Sequence, residues 1–138
     1  GGYDGSSQTD IIDYIIIASL GNASDFGDCT ARSLHPRGCS SAAGRGLIGG
    51  GNDGSATDEI EYVTISSNGN ATDFGDLTRA HGYFACSGNG SIAVWCCGYD
   101  APANYDTMDY VTIATLGNAS DFGDDAHNRR TLCGMSGT

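Results

Sequence analysis

The sequence predicts an all-β repeat protein, and three observations lead to that prediction. A 19-residue segment recurs three times at a spacing of 48 residues, and ten of its positions are the same in all three copies. Each copy holds short stretches rich in β-branched and aromatic residues, which are typical of β-strands. No stretch shows a sustained helical period with capping residues. The 138 residues are enough for one domain.

The recurring segment divides into a strand and an acidic turn. It reads DIIDYIIIASLGNASDFGD from Asp10, DEIEYVTISSNGNATDFGD from Asp58 and DTMDYVTIATLGNASDFGD from Asp106. Apolar residues fall on both alternating sets of its first half, which predicts a strand covered on both faces. The GNASD stretch at 21–25 predicts a turn, because Asn and Asp accept left-handed backbone angles and bind nearby amides.

A second pair of strands follows in each copy. In the middle copy the apolar stretches 83–86 and 92–95 flank Asn89-Gly90, a strong signal for a two-residue hairpin. The register also extends backwards without a gap, so that residues 49–51 align with 97–99. We therefore expect three tandem four-stranded, blade-like repeats of about 48 residues each, which together form one domain or part of a larger propeller. Their predicted ranges are 1–48, 49–96 and 97–138, the third without its last strand.

Four short strands in about 48 residues are typical of a β-propeller blade, which stacks on its neighbours. The sequence resembles Kelch-type propellers in an apolar strand that leads into Gly49-Gly50, a Tyr about a dozen residues later, and an aromatic residue followed by Arg. The phrase GNATDFGDLT at 69–78 is similar to a tandem repeat of large virion structural proteins of marine bacteriophages, and this resemblance spans all three copies. It implies a structural or surface role without enzymatic activity.

Composition argues against two classes of partner. Arg supplies all six basic residues, while seventeen acidic residues bring the formal net charge to −11. Binding to nucleic acid or to an anionic membrane surface relies on clustered Lys and Arg. A membrane helix needs roughly 18–20 consecutive apolar residues, and no run here approaches that length. The sequence therefore predicts neither nucleic-acid binding nor membrane insertion.

The number of repeats predicts self-association. Closed propellers use about four to eight blades, whereas this chain holds fewer than three complete ones. An incomplete array exposes an apolar blade face and a strand edge, and both favour association. We expect either a dimer that closes a six-bladed ring or a head-to-tail polymer. A third interpretation is that the chain, which starts at Gly1, is an excerpt of a longer array.

The acidic turn also supplies candidate calcium ligands, since closely spaced oxygen ligands with Gly before the last Asp suit this ion. The candidates are Asp25, Asp28, Asp73, Asp76, Asp121 and Asp124. The alternative is that Asn and Asp bind the backbone of the turn while the Phe packs between blades. Because the ligand order does not follow an EF-hand loop, we expect the structural alternative and predict no other cofactor.

Four Asn residues begin N-glycosylation sequons. They are Asn22, Asn70 and Asn118, which are in register, and Asn89. Sugars at the three turns would coat one rim of the array in a host that glycosylates. Because the repeat copies the sequon, the three in-register sites count as one observation.

The six cysteines are candidates for disulfides, with no CxxC pair to indicate a zinc ribbon. They are Cys29, Cys39, Cys86, Cys96, Cys97 and Cys133. Cys39, Cys86 and Cys133 occupy matching places in successive copies and suit small core residues as well. The other three are off the pattern, which favours specific cross-links in an extracellular or virion setting.

No nucleophile and base stand at a recognisable catalytic spacing, so we predict no enzyme. His35, His81 and His127 lie near corresponding places, and we expect solvated loop histidines there. The predicted function is a structural or adhesive element of a virion surface or extracellular fibre, with a glycan or cell surface as a candidate partner. The alternative is a secreted carbohydrate-binding, lectin-like propeller in which Tyr3, Tyr99 and Tyr105 stack on sugar rings.

Overall fold

The computed structural model describes residues 1–30, 37–40, 44–52 and 54–134, and of residues 37–40 it describes the backbone alone. Within these ranges the secondary structure is all-β, as predicted, and the strands form four antiparallel sheets. No helix among the described residues has the length and hydropathy needed to cross a membrane.

The strands pair with their neighbours in sequence, so that each sheet is a meander. The described residues form twelve strands, which are β1 (Gly2–Tyr3), β2 (Gln8–Thr9), β3 (Ile11–Tyr14), β4 (Ser24–Asp28), β5 (Arg37–Ser40), β6 (Arg45–Asn52), β7 (Ala56–Thr64), β8 (Thr72–Asp76), β9 (Ala85–Gly88), β10 (Ile92–Asp100), β11 (Ala103–Thr112) and β12 (Ser120–Arg129). We name the β3–β4 pair sheet 1, the β5–β8 sheet sheet 2 and the β9–β12 sheet sheet 3, while β1 and β2 form a separate hairpin.

The recurring segment folds alike in all three sheets, but its acidic part is not the loop that we expected. Its first half forms β3, β7 and β11, and its Phe-Gly-Asp residues lie in the last strand of each sheet, β4, β8 or β12. The turn is confined to the short stretch before that strand. Each strand pair is irregular at the same place, between the residues equivalent to Ile60 and Glu61. The extra residue of this bulge is the Phe, which has no partner in the register, while the Gly that follows it is paired.

A pair of aromatic rings accounts for the shared 48-residue spacing of Tyr and Phe. In each sheet the Tyr of the second-last strand meets the Phe of the last strand edge to face. The ring centroids lie 6.0 Å apart in Tyr14–Phe26, 6.2 Å apart in Tyr62–Phe74 and 5.8 Å apart in Tyr110–Phe122. Such cross-strand aromatic pairs stabilise a sheet beyond simple burial.

The boundaries of the sheets differ from those of the predicted repeats. Sheets 2 and 3 begin at Arg37 and Ala85 rather than at residues 49 and 97. Each of these two sheets therefore combines the end of one predicted repeat with the start of the next. Sheet 3 has four strands, of which β9 and most of β10 belong to the second predicted repeat, and sheet 1 has two. Sequence similarity defines the period of a repeat but not its phase.

The alignment without gaps that we expected upstream of the recurring segment is wrong. The hairpins place Gly2, Gly51 and Gly98 at equivalent positions, opposite Thr9, Thr57 and Tyr105. The loops between the paired residues shorten from copy to copy, which an alignment without gaps cannot show. The residue before this glycine has φ 53° at Gly50 and φ 64° at Cys97. Cys97 thus has a left-handed backbone conformation, and the equivalent residue of sheet 2 is a glycine, Gly50.

The main core lies between sheets 2 and 3. The buried cluster comprises Leu47, Ile60, Phe74, Leu77, Phe84, Ala93, Trp95, Val111 and Ile113. Its members come from both sheets and from the segment that connects them. Trp95 packs directly on Gly49, where an added Cβ would lie 2.8 Å from the indole Nε1. A larger residue at that position would push the sheets apart.

His81 belongs to this buried region, so the expectation of a solvated loop histidine is wrong for this residue. Its side chain is 1% exposed, and its ring centroid lies 5.1 Å from that of Phe84. Nδ1 lies 2.8 Å from the carbonyl oxygen of Arg79. Burial lowers the pKa of His81 below its ordinary value, which favours the neutral imidazole. His127 is exposed, and His35 lies outside the described residues.

We expect His81 to make stability depend on pH. Because its pKa is lower in the folded chain, the unfolded chain binds the proton first, and stability falls as the pH drops through about 6.5. The charge of Asp109 opposes this effect and that of Arg79 adds to it. Urea unfolding at about pH 7.5 and about pH 5.5 should show a smaller difference in H81Q than in the native chain. The control H127Q should keep the native difference, and an equal difference in H81Q would contradict the assignment.

Candidate functional site

Successive sheets are joined by hydrogen bonds between a turn and an edge strand. The turn at 69–71, before β8, lies against β4 of sheet 1. The amide of Gly69 donates to the carbonyl oxygen of Phe26 at 2.8 Å, and that of Ala71 donates to Asp28 at 2.7 Å. In return the amide of Asp28 donates to Oδ1 of Asn70 at 3.1 Å. We term this contact the inter-sheet joint.

The same joint recurs between sheets 2 and 3. Gly117 donates to the carbonyl oxygen of Phe74 at 2.9 Å, and Ala119 donates to that of Asp76 at 2.7 Å. The amide of Asp76 donates to Oδ1 of Asn118 at 3.2 Å. Equivalent atoms thus make equivalent bonds in both joints. The Gly-Asn-Ala turn and the Phe-Gly-Asp strand are two complementary halves of one contact.

Glycine at the centre of Phe-Gly-Asp permits the close approach. A Cβ at Gly27 would lie 2.4 Å from the carbonyl oxygen of Gly69, and a Cβ at Gly75 would lie 2.5 Å from that of Gly117. The backbone of both glycines also has a positive φ, at 150° and 142°. Only a residue without a side chain leaves room for the incoming turn.

Each joint also contains a buried carboxylate. Both the amide and the hydroxyl of Thr78 donate to Asp109, at 3.0 and 2.7 Å, and Asp109 is 1% exposed. In the first joint the amide of Thr30 donates to Glu61 at 2.6 Å, and its hydroxyl also contacts Glu61. A buried carboxylate is costly unless donors satisfy it, so these Thr residues compensate the burial.

The structure shows backbone contacts for some of the predicted calcium ligands and carboxylate contacts for others, and calcium binding stays a prediction. Asp28 and Asp76 contribute backbone groups to the joints. Oδ1 of Asp73 accepts from the amide of Gly75 at 3.0 Å, as the equivalent aspartate of sheet 3 does from its own glycine. Among the described residues, the one cluster with the spacing of metal ligands contains none of the six candidates.

The four sequon asparagines are exposed. Asn70 and Asn118 use Oδ1 in the joints, and Asn89 uses Oδ1 to cap its own hairpin at the amides of Ser91 and Ile92. These bonds use Oδ1 and not Nδ2, which is the atom to which a sugar is attached. Glycosylation at these positions stays a prediction.

The cysteines are not equivalent. Cys86 is disulfide-bonded, while Cys29, Cys96, Cys97 and Cys133 are free thiols, and the side chain of Cys39 lies outside the described residues. The off-pattern cysteines therefore form none of the cross-links that we expected within the described chain. Burial raises the pKa of Cys29 to about 11 and that of Cys97 to about 12, so both remain thiols at neutral pH.

Two of these thiols form the cluster with metal-ligand spacing. Sγ of Cys96 lies 3.2 Å from Sγ of Cys97, which lies 3.4 Å from Oδ2 of Asp125. Arg129 forms an ion pair with the same oxygen of Asp125 and lowers the pKa of that carboxyl. Metal ligation requires thiolates and a free carboxylate. The raised pKa of Cys97 and the ion pair therefore oppose ligation here.

In the structure an Arg guanidinium lies over the ring of two of the three tyrosines that a lectin-like site would use. The guanidinium carbon of Arg130 lies 4.2 Å from the ring centroid of Tyr99, and that of Arg79 lies 4.4 Å from the ring centroid of Tyr105. Tyr3 is 61% exposed. A sugar would have to share the first two rings with an Arg.

No protein-family model matches the sequence, and no curated protein matches it. The function must therefore be inferred from the joints and from the repeat itself.

Sequence reasoning missed the Thr and carboxylate pairs of the joints. The signal was present, because Thr follows Phe-Gly-Asp by two residues at Thr30 and Thr78. An acidic residue also precedes the repeated Tyr, as at Glu61 and Asp109. Nothing in the linear pattern shows that these residues meet across successive copies.

The steric demand of the joint predicts a contrast between two equivalent glycines. We expect G75A to lower the free energy of unfolding by about 1–3 kcal/mol more than G123A does, because overpacking displaces the Gly117 turn. Gly123 is the matched control, since its φ of 130° is similar but an added Cβ would meet only Met108 Cε at 4.0 Å. Urea unfolding at low protein concentration measures the difference. Equal losses would show that backbone strain, and not the joint, explains the glycine.

The buried carboxylate predicts a coupled pair. We expect T78V to lower the free energy of unfolding by about 1–3 kcal/mol, since it removes a donor from buried Asp109. D109N should lower the free energy of unfolding less in the T78V background than in the native chain. Without the Thr78 hydroxyl, the protein loses less when the carboxylate at position 109 is replaced by an amide. A double-mutant cycle by urea unfolding gives the coupling energy. Strictly additive losses would contradict a direct interaction.

Proposed function

We propose that this chain is a non-enzymatic structural repeat protein of propeller-like blades, part of a virion surface or an extracellular fibre. The supporting observation is the joint, which connects successive sheets twice through equivalent atoms. A contact that repeats in this way adds one sheet after another in a constant geometry. That property suits a rigid scaffold, because each repeat contacts only its neighbours.

The side chains of the recurring segment support the same role. Asn70, Thr78 and Asp109 hold sheets together, and Tyr62 and Phe74 pack within one sheet. These residues are therefore committed to architecture. The formal net charge of −11 adds a repulsive surface that disfavours nonspecific association.

The lectin-like alternative has weaker support. It needs aromatic faces open to a sugar, and arginines stand over the rings of Tyr99 and Tyr105. Tyr3 remains the most exposed of the three candidates. The lectin-like function therefore stays the alternative to the structural one.

Localisation and binding experiments test this proposal. Antibodies against the chain should label the surface of virions or the outside of cells from its source in immuno-electron microscopy, and not their cytoplasm. On a glycan array we expect the purified chain to show no saturable glycan binding that depends on Tyr3. Binding would depend on Tyr3 if Y3A abolished it while Y14F, the aromatic control variant, retained it. Cytoplasmic labelling would overturn the proposed location. Y3A-sensitive glycan binding would establish the lectin-like alternative.

A further inference from the structure

Sheet 3 presents an uncovered acceptor half of the joint. Phe122 is 53% exposed, whereas its equivalents Phe26 and Phe74 are 9% and 3% exposed under the following turn. The space over Gly123 is open, with the nearest atom 4.0 Å from an added Cβ. Residues 122–124 thus have the same sequence and strand position as the two occupied halves, and no turn of the described residues is hydrogen-bonded to them.

Sheet 1 presents the matching donor half, also uncovered. The turn at 21–23 is exposed, and the side chain of Asn22 makes no hydrogen bond among the described residues. In sheet 3 the equivalent turn is bonded to sheet 2. The apolar face beside it is bare as well, since Ile15 and Ile17 are 62% and 94% exposed. The equivalents of Ile17 are less exposed, at 49% for Ile65 and 0% for Ile113.

We propose that the turn at 21–23 of one copy of this chain docks on residues 122–124 of a second copy. The contact repeats the internal joint. The amides of Gly21 and Ala23 donate to the carbonyl oxygens of Phe122 and Asp124, and Asn22 Oδ1 accepts from the amide of Asp124. This inference rests on the proposed structural function and names the partner that the scaffold takes.

The occupant is a second copy because the two halves already bind each other twice within one chain. The docked turn would cover Phe122, and the apolar face of sheet 1 would be buried against sheet 3 as Val111 and Ile113 are buried now. The two surfaces are different, so the contact is head-to-tail and either closes into a ring or continues as a fibre.

One side chain of the joint differs at this contact. Ala126 stands where Thr30 and Thr78 bind their carboxylates, so Asp13 of the second copy, the equivalent of Glu61 and Asp109, finds no hydroxyl. We therefore expect the contact between copies to be weaker than the internal joints. A126T restores the missing donor and should strengthen association at least threefold.

The experiment uses one variant on each surface. G123A blocks the acceptor half, and N22A removes the side-chain acceptor of the docking turn. Sedimentation velocity of the full chain over a range of concentrations, in about 0.15 M salt to screen its charge, should show association that either variant weakens at least tenfold. Each variant keeps one intact surface. An equimolar mixture of the two should therefore form a heterodimer that grows no further.

Unfolding curves of the variants at low concentration separate folding from docking. Cooperative unfolding with lost association supports the inference, whether the native chain forms a closed oligomer or an open series. G123A is allowed the loss of stability that the φ of 130° at this position imposes. A native chain that stays monomeric, association that survives G123A, or a mixture without the heterodimer would overturn it. A chain that is monomeric but is labelled at the surface would contradict the docking and still support the proposed function. The two proposals are therefore tested independently.

Discussion

The structure depends on one contact, in which a Gly-Asn-Ala turn donates its amides to the carbonyl oxygens of a Phe-Gly-Asp strand. The contact approaches within 2.4 Å of where a Cβ at Gly27 would stand, so it requires glycine at the centre of the strand. It also requires an asparagine, because the returning amide of Asp28 needs a side-chain acceptor at Asn70. These two demands explain why Gly-Asn-Ala and Phe-Gly-Asp are the same in all three copies.

Burial elsewhere follows from this contact. Once the turn is in place, Asp109 is enclosed and needs both donors of Thr78. The aromatic ring of Phe74 is covered at the same step and joins the core that sheets 2 and 3 share. Polar and apolar parts of the interface thus depend on each other. The carboxylate fixes the relative position of the sheets, while the core supplies most of the favourable free energy.

The sequence predicted the class of fold, the period of the repeat and the strands of the recurring segment. It did not predict the phase of the sheets, since a repeating pattern looks the same from any starting point. The strand character of Phe-Gly-Asp was also missed, because Asn, Gly and Asp indicate a turn when only local propensities are considered. Here the turn ends at Ala71, and bonds to another sheet stabilise the strand that follows. The burial of His81 depends on the same long-range packing.

The joint also determines where the repeats are free to vary. The hairpin loops differ in length at residues 4–7, 53–55 and 101–102, yet the strands on either side keep equivalent pairs such as Gly51 with Thr57. The loops precede β3, β7 and β11 along the chain and the Gly-Asn-Ala turns follow these strands, so the loops are not part of the joints. Selection for recognition can therefore act on the loops without altering the scaffold. Any specific adhesion by this protein is best sought at those hairpins, of which Tyr3 is an exposed member.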